Sequence, residues 1–390
     1  MCAAKRKATV RPLPLLTLLA MAACGGGGGN GGAGAPPPPA PPPPSVPNLY
    51  ALAPPGLPVG VAVPAGGSAN SILSSTVRRT IVDNHFSQVT AENILKPSFL
   101  HPAENDYFFD DADELVDYAA SRGKTVHGHV LIWHQQIPVW MNGFAPSDAG
   151  AWTDMMTDHI ATIAGHFATN GVIVSWDVVN EAFADSDADM DGRNDLRSTP
   201  WLDNIGPGYL AAAFRAAAAA APNADLYYND YNLAGVPAKL AAVLDLVEAF
   251  RNDPNPVPIH GIGFQMHISL TWPDIGGIRD AFARAAAAGL KVKISELDVT
   301  VNTDAAGNPM SLTTLTDAVA AQQRERYRSV VKAYLDAVPS AQRGGITVWG
   351  IADVDSWRRA TNPREWPLLF DDGFRPKPAL LGFADGLSGN

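Results

Sequence analysis

Two acidic side chains end apolar, β-rich runs in this chain: Glu181 closes WDVVNE and Glu296 closes KISE. A carboxylate in such a place is costly unless something there uses it. Two carboxyls, one protonated and one ionised, are what cleavage of a glycosidic bond requires. One protonates the leaving oxygen, and the other traps or stabilises the oxocarbenium-like carbon. Trp133, Trp349 and Trp357 offer flat apolar faces for sugar rings. Asn, Gln, His and Lys near the ends of other runs offer hydrogen bonds to hydroxyls. For Glu296 the plain alternative is an ion pair with Lys291 or Lys293. Both lie at odd offsets along the run and are expected to face the other way.

Two other chemistries compete. His127 and His129 share one face of a strand and, with His267 and Asp298, could hold a metal ion for hydrolysis. That reading puts the pair on the third run and leaves the tryptophans without a task. The other rival is a surface protein that captures oligosaccharide without cutting it. Degenerate binders usually lose a carboxylate, and both are present.

The elements that must position these groups are legible. Eight apolar runs occur in order: GLPVGVAV, HFSQVTAEN, TVHGHVLIWH, VIVSWDVVNE, ADLYYND, GIGFQMH, LKVKISELDV and GITVWGIAD. Each precedes a helical pattern, such as DDADELVDYAASRG, VPAKLAAVLDLVEAFRND with its early Pro237, and TDAVAAQQRERYRSVVKAYLDAV. The alanine run at 216–221 reads as helix, because Ala is the best helix former. Eight strand–helix alternations predict a single (β/α)8 TIM barrel over residues 47–390. An open doubly wound sheet is disfavoured, because no Gly-rich phosphate turn follows the first run. The runs end in Glu92-Asn93, Trp133-His134, Asn180-Glu181, Asn229-Asp230, Gln265 with His267, Glu296 with Asp298, and Trp349. In a barrel these ends converge on one mouth, where active sites lie.

The amino terminus reads differently. Lys5, Arg6, Lys7 and Arg11 precede the short apolar LPLLTLLAMAA, and Cys24 follows Met21-Ala22-Ala23. Residues 1–23 are therefore expected to be a secretion signal of lipoprotein type, too short to span a membrane. Cys24 is the expected acylation site, giving an exported protein on the cell surface or outer membrane, or a secreted one. Residues 24–46, rich in Gly and Pro, read as a tether, flexible and then semi-rigid. The only cysteines are Cys2 and Cys24, so no disulfide can form within the barrel. Setting aside the first 46 residues leaves 24 basic and 39 acidic side chains, a formal charge of −15. Such a domain repels nucleic acid and anionic membranes and accepts a neutral substrate.

The motifs FSQVTAENILKP, GHVLIWHQQIPVW, WDVVNEAF, LYYNDYN, GIGFQMH, KISELDV, TVWGIADVDSW and LLFDDGFRPKPAL stand in one order across nearly the whole domain. Together they resemble the family 10 glycoside hydrolases, the endo-β-1,4-xylanases. The resemblance implies a retaining enzyme acting on xylan and xylooligosaccharides without a cofactor, expected to be a monomer. It makes Glu181 the acid/base and Glu296 the nucleophile, with carboxyls about 5–5.5 Å apart. It assigns substrate binding to Glu92, Asn93, Lys96, His129, Trp133, Gln136, Asn180, Gln265, His267, Trp349 and Trp357. Asn180 is expected on the sugar 2-hydroxyl, and Asp298 behind His267. Lys96 and Gln136 match positions that crowd a C5 hydroxymethyl group, which favours xylose over the cellulase-type alternative. His127 departs from the Arg frequent in the family.

The loop after Glu181 is long, ADSDADMDGRNDLRSTPW. Asp187, Asp189, Asp191 and Asp195 fall at the spacing of a calcium loop, with Gly192 at its turn. The twelfth position is Ser198 where such loops carry a bidentate Glu, and a solvated acidic loop is the alternative.

Overall fold

A computed structural model describes residues 48–304 and 307–389. The signal, Cys24 and the Gly/Pro tether lie outside the described residues. The described residues form nine strands: β1 (Val59–Val63), β2 (Gln88–Ala91), β3 (Thr125–Gly128), β4 (Ile173–Asn180), β5 (Asp225–Asp230), β6 (Gly261–Phe264), β7 (His267–Ser269), β8 (Lys291–Thr300) and β9 (Arg343–Val348). Eight of them form a ring of parallel pairs. The order β6-β5-β4-β3-β2-β1-β9-β8 is closed by pairing of β6 with β8. The helices that follow are α1 (Thr76–His85), α2 (Asp110–Ser121), α3 (Ala149–Phe167), α4 (Tyr209–Ala220), α5 (Pro237–Asn252), α6 (Ile275–Ala287), α7 (Asp317–Ala337) and α8 (Pro378–Ser388). This is the (β/α)8 barrel.

The strands are buried on both faces, as parallel strands under a ring of helices must be. The helices turn Leu, Ile, Val and Phe onto the barrel, as with Leu115 and Val116 of α2 and Val330 and Val331 of α7. Several helix starts match their sequence. Pro237 opens α5, whose missing N–H costs nothing in a first turn. Asp274 accepts from Gly277 N at the start of α6. The alanine run lies in α4 up to Ala220, and Ala221 caps the helix.

The sixth run differs from expectation. GIGFQMH is broken after Phe264, where Met266 takes φ 60°, and the chain resumes as β7. β7 pairs with the upper part of β8, setting His267 opposite Asp298. The seventh run departs too. Pairing of β8 with β9 shifts register between Ile294 and Leu297, and such an irregularity re-aims side chains. Ser295 and Glu296, consecutive residues, both bond Asn229. Strict alternation therefore does not separate Glu296 from the lysines. What excludes the ion pair is that Lys293 is buried inside the barrel on Gln88 Oε1 at 2.7 Å, while Lys291 pairs with Asp225.

Candidate active site

Strand ends bring the expected residues to one cleft of about 540 Å³. Glu181, Glu296 and every expected sugar-binding residue line it. Both carboxylates are largely buried, with 8% and 4% of their surface exposed. One amide cluster joins them. Gln265 Nε2 donates to Glu181 Oε1 at 2.9 Å and to Asn180 Oδ1 at 3.2 Å. Asn229 Nδ2 donates to Asn180 Oδ1 at 2.9 Å and to Glu296 Oε1 at 2.7 Å. Asn180, Asn229 and Gln265 come from the ends of three adjacent strands, which sets the relative position of the two acids.

Glu296 Oε2 receives His267 Nε2 at 3.3 Å. The other imidazole nitrogen, Nδ1, lies 2.8 Å from Asp298 Oδ2, which also accepts from Trp357 Nε1 at 2.9 Å. Asp298 is thus the partner behind His267, and it further holds Arg358. Burial alone would raise the Asp298 carboxyl, but Arg358 and His267 hold it at about 2. Burial would likewise depress His267, yet the Asp298 charge and the bonds to Asp298 and Glu296 push it up to about 9. Glu296 stays below the usual carboxylate range, because the His267 bond and the nearby His129 outweigh burial. An anion with a cationic imidazole beside it is a stabilised carboxylate.

Glu181 stands differently. It is the first residue past β4 and takes φ 58°. Its N–H bonds Asn229 O and its carbonyl accepts from Arg197 Nε. Asn180 Nδ2 reaches Oε1 at 3.2 Å, and His134 Nε2 lies 4.0 Å from Oε2.

The far wall is built on β2 and β3. Lys96 Nζ lies 3.4 Å from Asn93 Oδ1 and 5.1 Å from the centre of the Trp133 ring, and Gln136 Nε2 donates to Asn93 Oδ1 at 3.1 Å. Burial lowers Lys96, partly offset by Glu296, Glu92 and Glu181. Burial, with Asp355 adding to it, lifts Glu92 to about 7. His129 Nδ1 and His127 Nε2 sit 2.9 Å and 3.1 Å from Asp177 Oδ2. The two imidazoles do share a face, but they serve this buried carboxylate. They form no metal-ligating group with His267 and Asp298. Among the described residues, the group whose ligand atoms converge is Asp187, Asp189 and Asp191, within 4.8 Å of one another. Asp195 is outside that group and accepts from Ala188 N.

The sequence reading placed His134 at the mouth only as a run end and did not name Gln135, Arg197, Tyr231, Asn232, Asp355 or Arg358, although all seven line the cleft. His134, Gln135, Tyr231 and Asn232 stand inside recognised motifs, one or two residues past groups that were named. Asp355 and Arg358 flank Trp357 in the same way. Arg197 comes from the long aperiodic loop, and no signal marks it.

A parallel (β/α)8 barrel with two amide-bridged carboxylates and sugar-sized aromatic walls defines a class of hydrolase. The chain belongs to glycosyl hydrolase family 10, whose profile matches residues 50–385. It is similar to endo-1,4-beta-xylanase A of Cellvibrio japonicus (strain Ueda107), at 45% identity over 348 residues. That match covers 85% of this chain and 55% of that protein. Endo-beta-1,4-xylanase Xyn10C of Cellvibrio japonicus is 41% identical over 361 residues, 88% of this chain and 58% of that protein. The chain therefore spans little more than half the length of these curated relatives. A solved structure of a Cellvibrio japonicus xylanase 10C mutant in complex with xylopentaose superposes with a TM-score of 0.83 at 40% identity, covering 88% of this chain and 70% of that one.

Proposed function

We propose that this chain is a retaining endo-β-1,4-xylanase with Glu296 as nucleophile and Glu181 as acid/base. The observation that carries the reading is the asymmetry of the pair. Glu296 is held as an anion by His267, while Glu181 Oε2 has no hydrogen-bond donor among the described residues. Glu296 attacks the anomeric carbon as Glu181 gives its proton to the departing oxygen. The glycosyl ester that forms removes the Glu296 charge, and Glu181, now ionised, takes a proton from water as it attacks. In this reading Asn180 bonds the sugar 2-hydroxyl, a contact that strengthens at the transition state. Xylan and xylooligosaccharides are the proposed substrates. Lys96, Asn93 and Gln136 cluster beside Trp133, which supports a wall that crowds a C5 hydroxymethyl group. Reducing-sugar release from xylan, carboxymethylcellulose and mannan tests this. Release from carboxymethylcellulose matching that from xylan overturns the specificity.

We further infer export with a lipid anchor at Cys24, resting on the basic and apolar amino terminus. Cys24→Ser should move the protein from detergent to aqueous phase, and a wild type already in the aqueous phase contradicts the anchor. The convergence of Asp187, Asp189 and Asp191 supports a structural calcium ion, with no part in the chemistry. Millimolar calcium should raise Tm in wild type and not in Asp189→Ala. An unmoved wild-type Tm removes the site.

A further inference from the structure

A non-glycine residue holds φ near +60° only where its surroundings fix it. Glu181, at φ 58°, must hold it while aiming a carboxyl at a glycosidic oxygen. What fixes the chain just beyond it lies behind the strands. On β5 the side chains alternate. Asn229 points into the barrel toward Glu296, and Tyr228 and Asp230 point out on the other side. The Tyr228 hydroxyl accepts from both Ala182 N at 3.1 Å and Phe183 N at 3.3 Å. It donates its own proton to Asp230 Oδ2, so its lone pairs are left for those two N–H groups. Asp230 Oδ1 in turn receives Lys239 Nζ at 2.8 Å, from the first turn of α5. Lys239 also reaches Asp185 Oδ1 at 3.0 Å, closing a loop of contacts around Glu181–Asp185.

We propose that Tyr228, with Asp230 and Lys239 behind it, is a positioning residue that sets the backbone carrying the acid/base. The inference rests on the reading of Glu181 given above. All three side chains are fully buried. A buried Lys–Asp pair is weak evidence for stability, since apolar residues of equal volume often serve as well. Its retention behind Glu181 is explained if the orientation of the hydroxyl matters. Burial and the Glu181 charge together lift the Asp230 carboxyl to about 7 against the pull of Lys239. The chain of contacts thus also couples electrostatically to the site.

A misplaced acid/base lowers kcat/KM, which reports the first step, only where the leaving group needs its proton. In Tyr228→Phe, kcat/KM on xylan should fall about 10- to 100-fold, the scale of a small misplacement of a catalytic group. On 2,4-dinitrophenyl β-xylobioside, whose phenolate leaves without a proton, kcat/KM should stay within about twofold. A purely structural role lowers both alike, and that result overturns the proposal. Glu181→Ala, run beside it, separates the two readings. If it also loses equally on both substrates, the acid/base assignment has failed. If it shows the split and Tyr228→Phe does not, only the positioning role has failed. Should Tyr228→Phe not fold by circular dichroism, the nearly isosteric Asp230→Asn is read by the same ratio, and equal loss on both substrates again overturns the proposal.

Discussion

Glu296 is the sixth residue of a ten-residue strand, and each of its oxygens accepts a hydrogen bond, from Asn229 and from His267. Glu181 is the first residue past its strand, at positive φ, with both amide bonds on the same oxygen. The two acids share a cleft and an amide cluster, so the contrast lies in what backs each one. Behind Glu296 stands a charge relay, His267 and Asp298, that favours the anion. Behind Glu181 stands a backbone clamp that fixes position and leaves one oxygen open. The difference matches the two proposed tasks. A nucleophile must be ionised and immobile, whereas an acid/base must gain and lose a proton without moving.

The largest effect expected from breaking this contrast is at Glu296. Glu296→Ala should lose on the order of 10⁵-fold in kcat on xylan and on activated aryl xylobiosides alike, as removal of a covalent nucleophile does. Steady-state rates on both substrates check it. Selective loss on xylan would mean that Glu296 is the proton donor.

Asp298→Asn should act more mildly, lowering kcat/KM about 10²-fold, the scale of one aimed electrostatic contact. It removes the charge that holds His267 up, so the imidazole of His267, followed by NMR, should titrate well below about pH 9. An unmoved titration would place the cause elsewhere.

The smallest effect is on stability. The His267 pKa is raised on folding, so its contribution is complete below about pH 6.5 and disappears as pH climbs through about 9. Tm of the wild type should fall by a few degrees across that window. The curve for Asp298→Asn should be flatter over the same pH range, and parallel curves would remove His267 as the source.

Most of the barrel was legible because each strand and helix is written in local pattern: apolar runs, Pro237 at a helix start, the alanine run as helix. The candidate cleft was legible because polar and aromatic residues gather at run ends. What escaped depends on partners distant in sequence. The register shift that lets Ser295 and Glu296 both reach Asn229 is set by pairing with β9. The break at Met266 comes from β7 joining the upper part of β8. Arg197 enters the site from a loop without periodicity, and it bonds carbonyls on either side of Ala182. Tyr228 reads as an ordinary core aromatic, since nothing local shows that its hydroxyl meets the chain after Glu181.

The central claim is that the two carboxylates divide the work, and Glu181→Ala tests it most directly. With 2,4-dinitrophenyl β-xylobioside this variant should release one burst of phenolate and then stall as the glycosyl-enzyme. Added azide should restart turnover and yield the β-xylobiosyl azide, identified by NMR. An α-azide product would make Glu181 the nucleophile, and that result, or the absence of any rescue, would contradict the account.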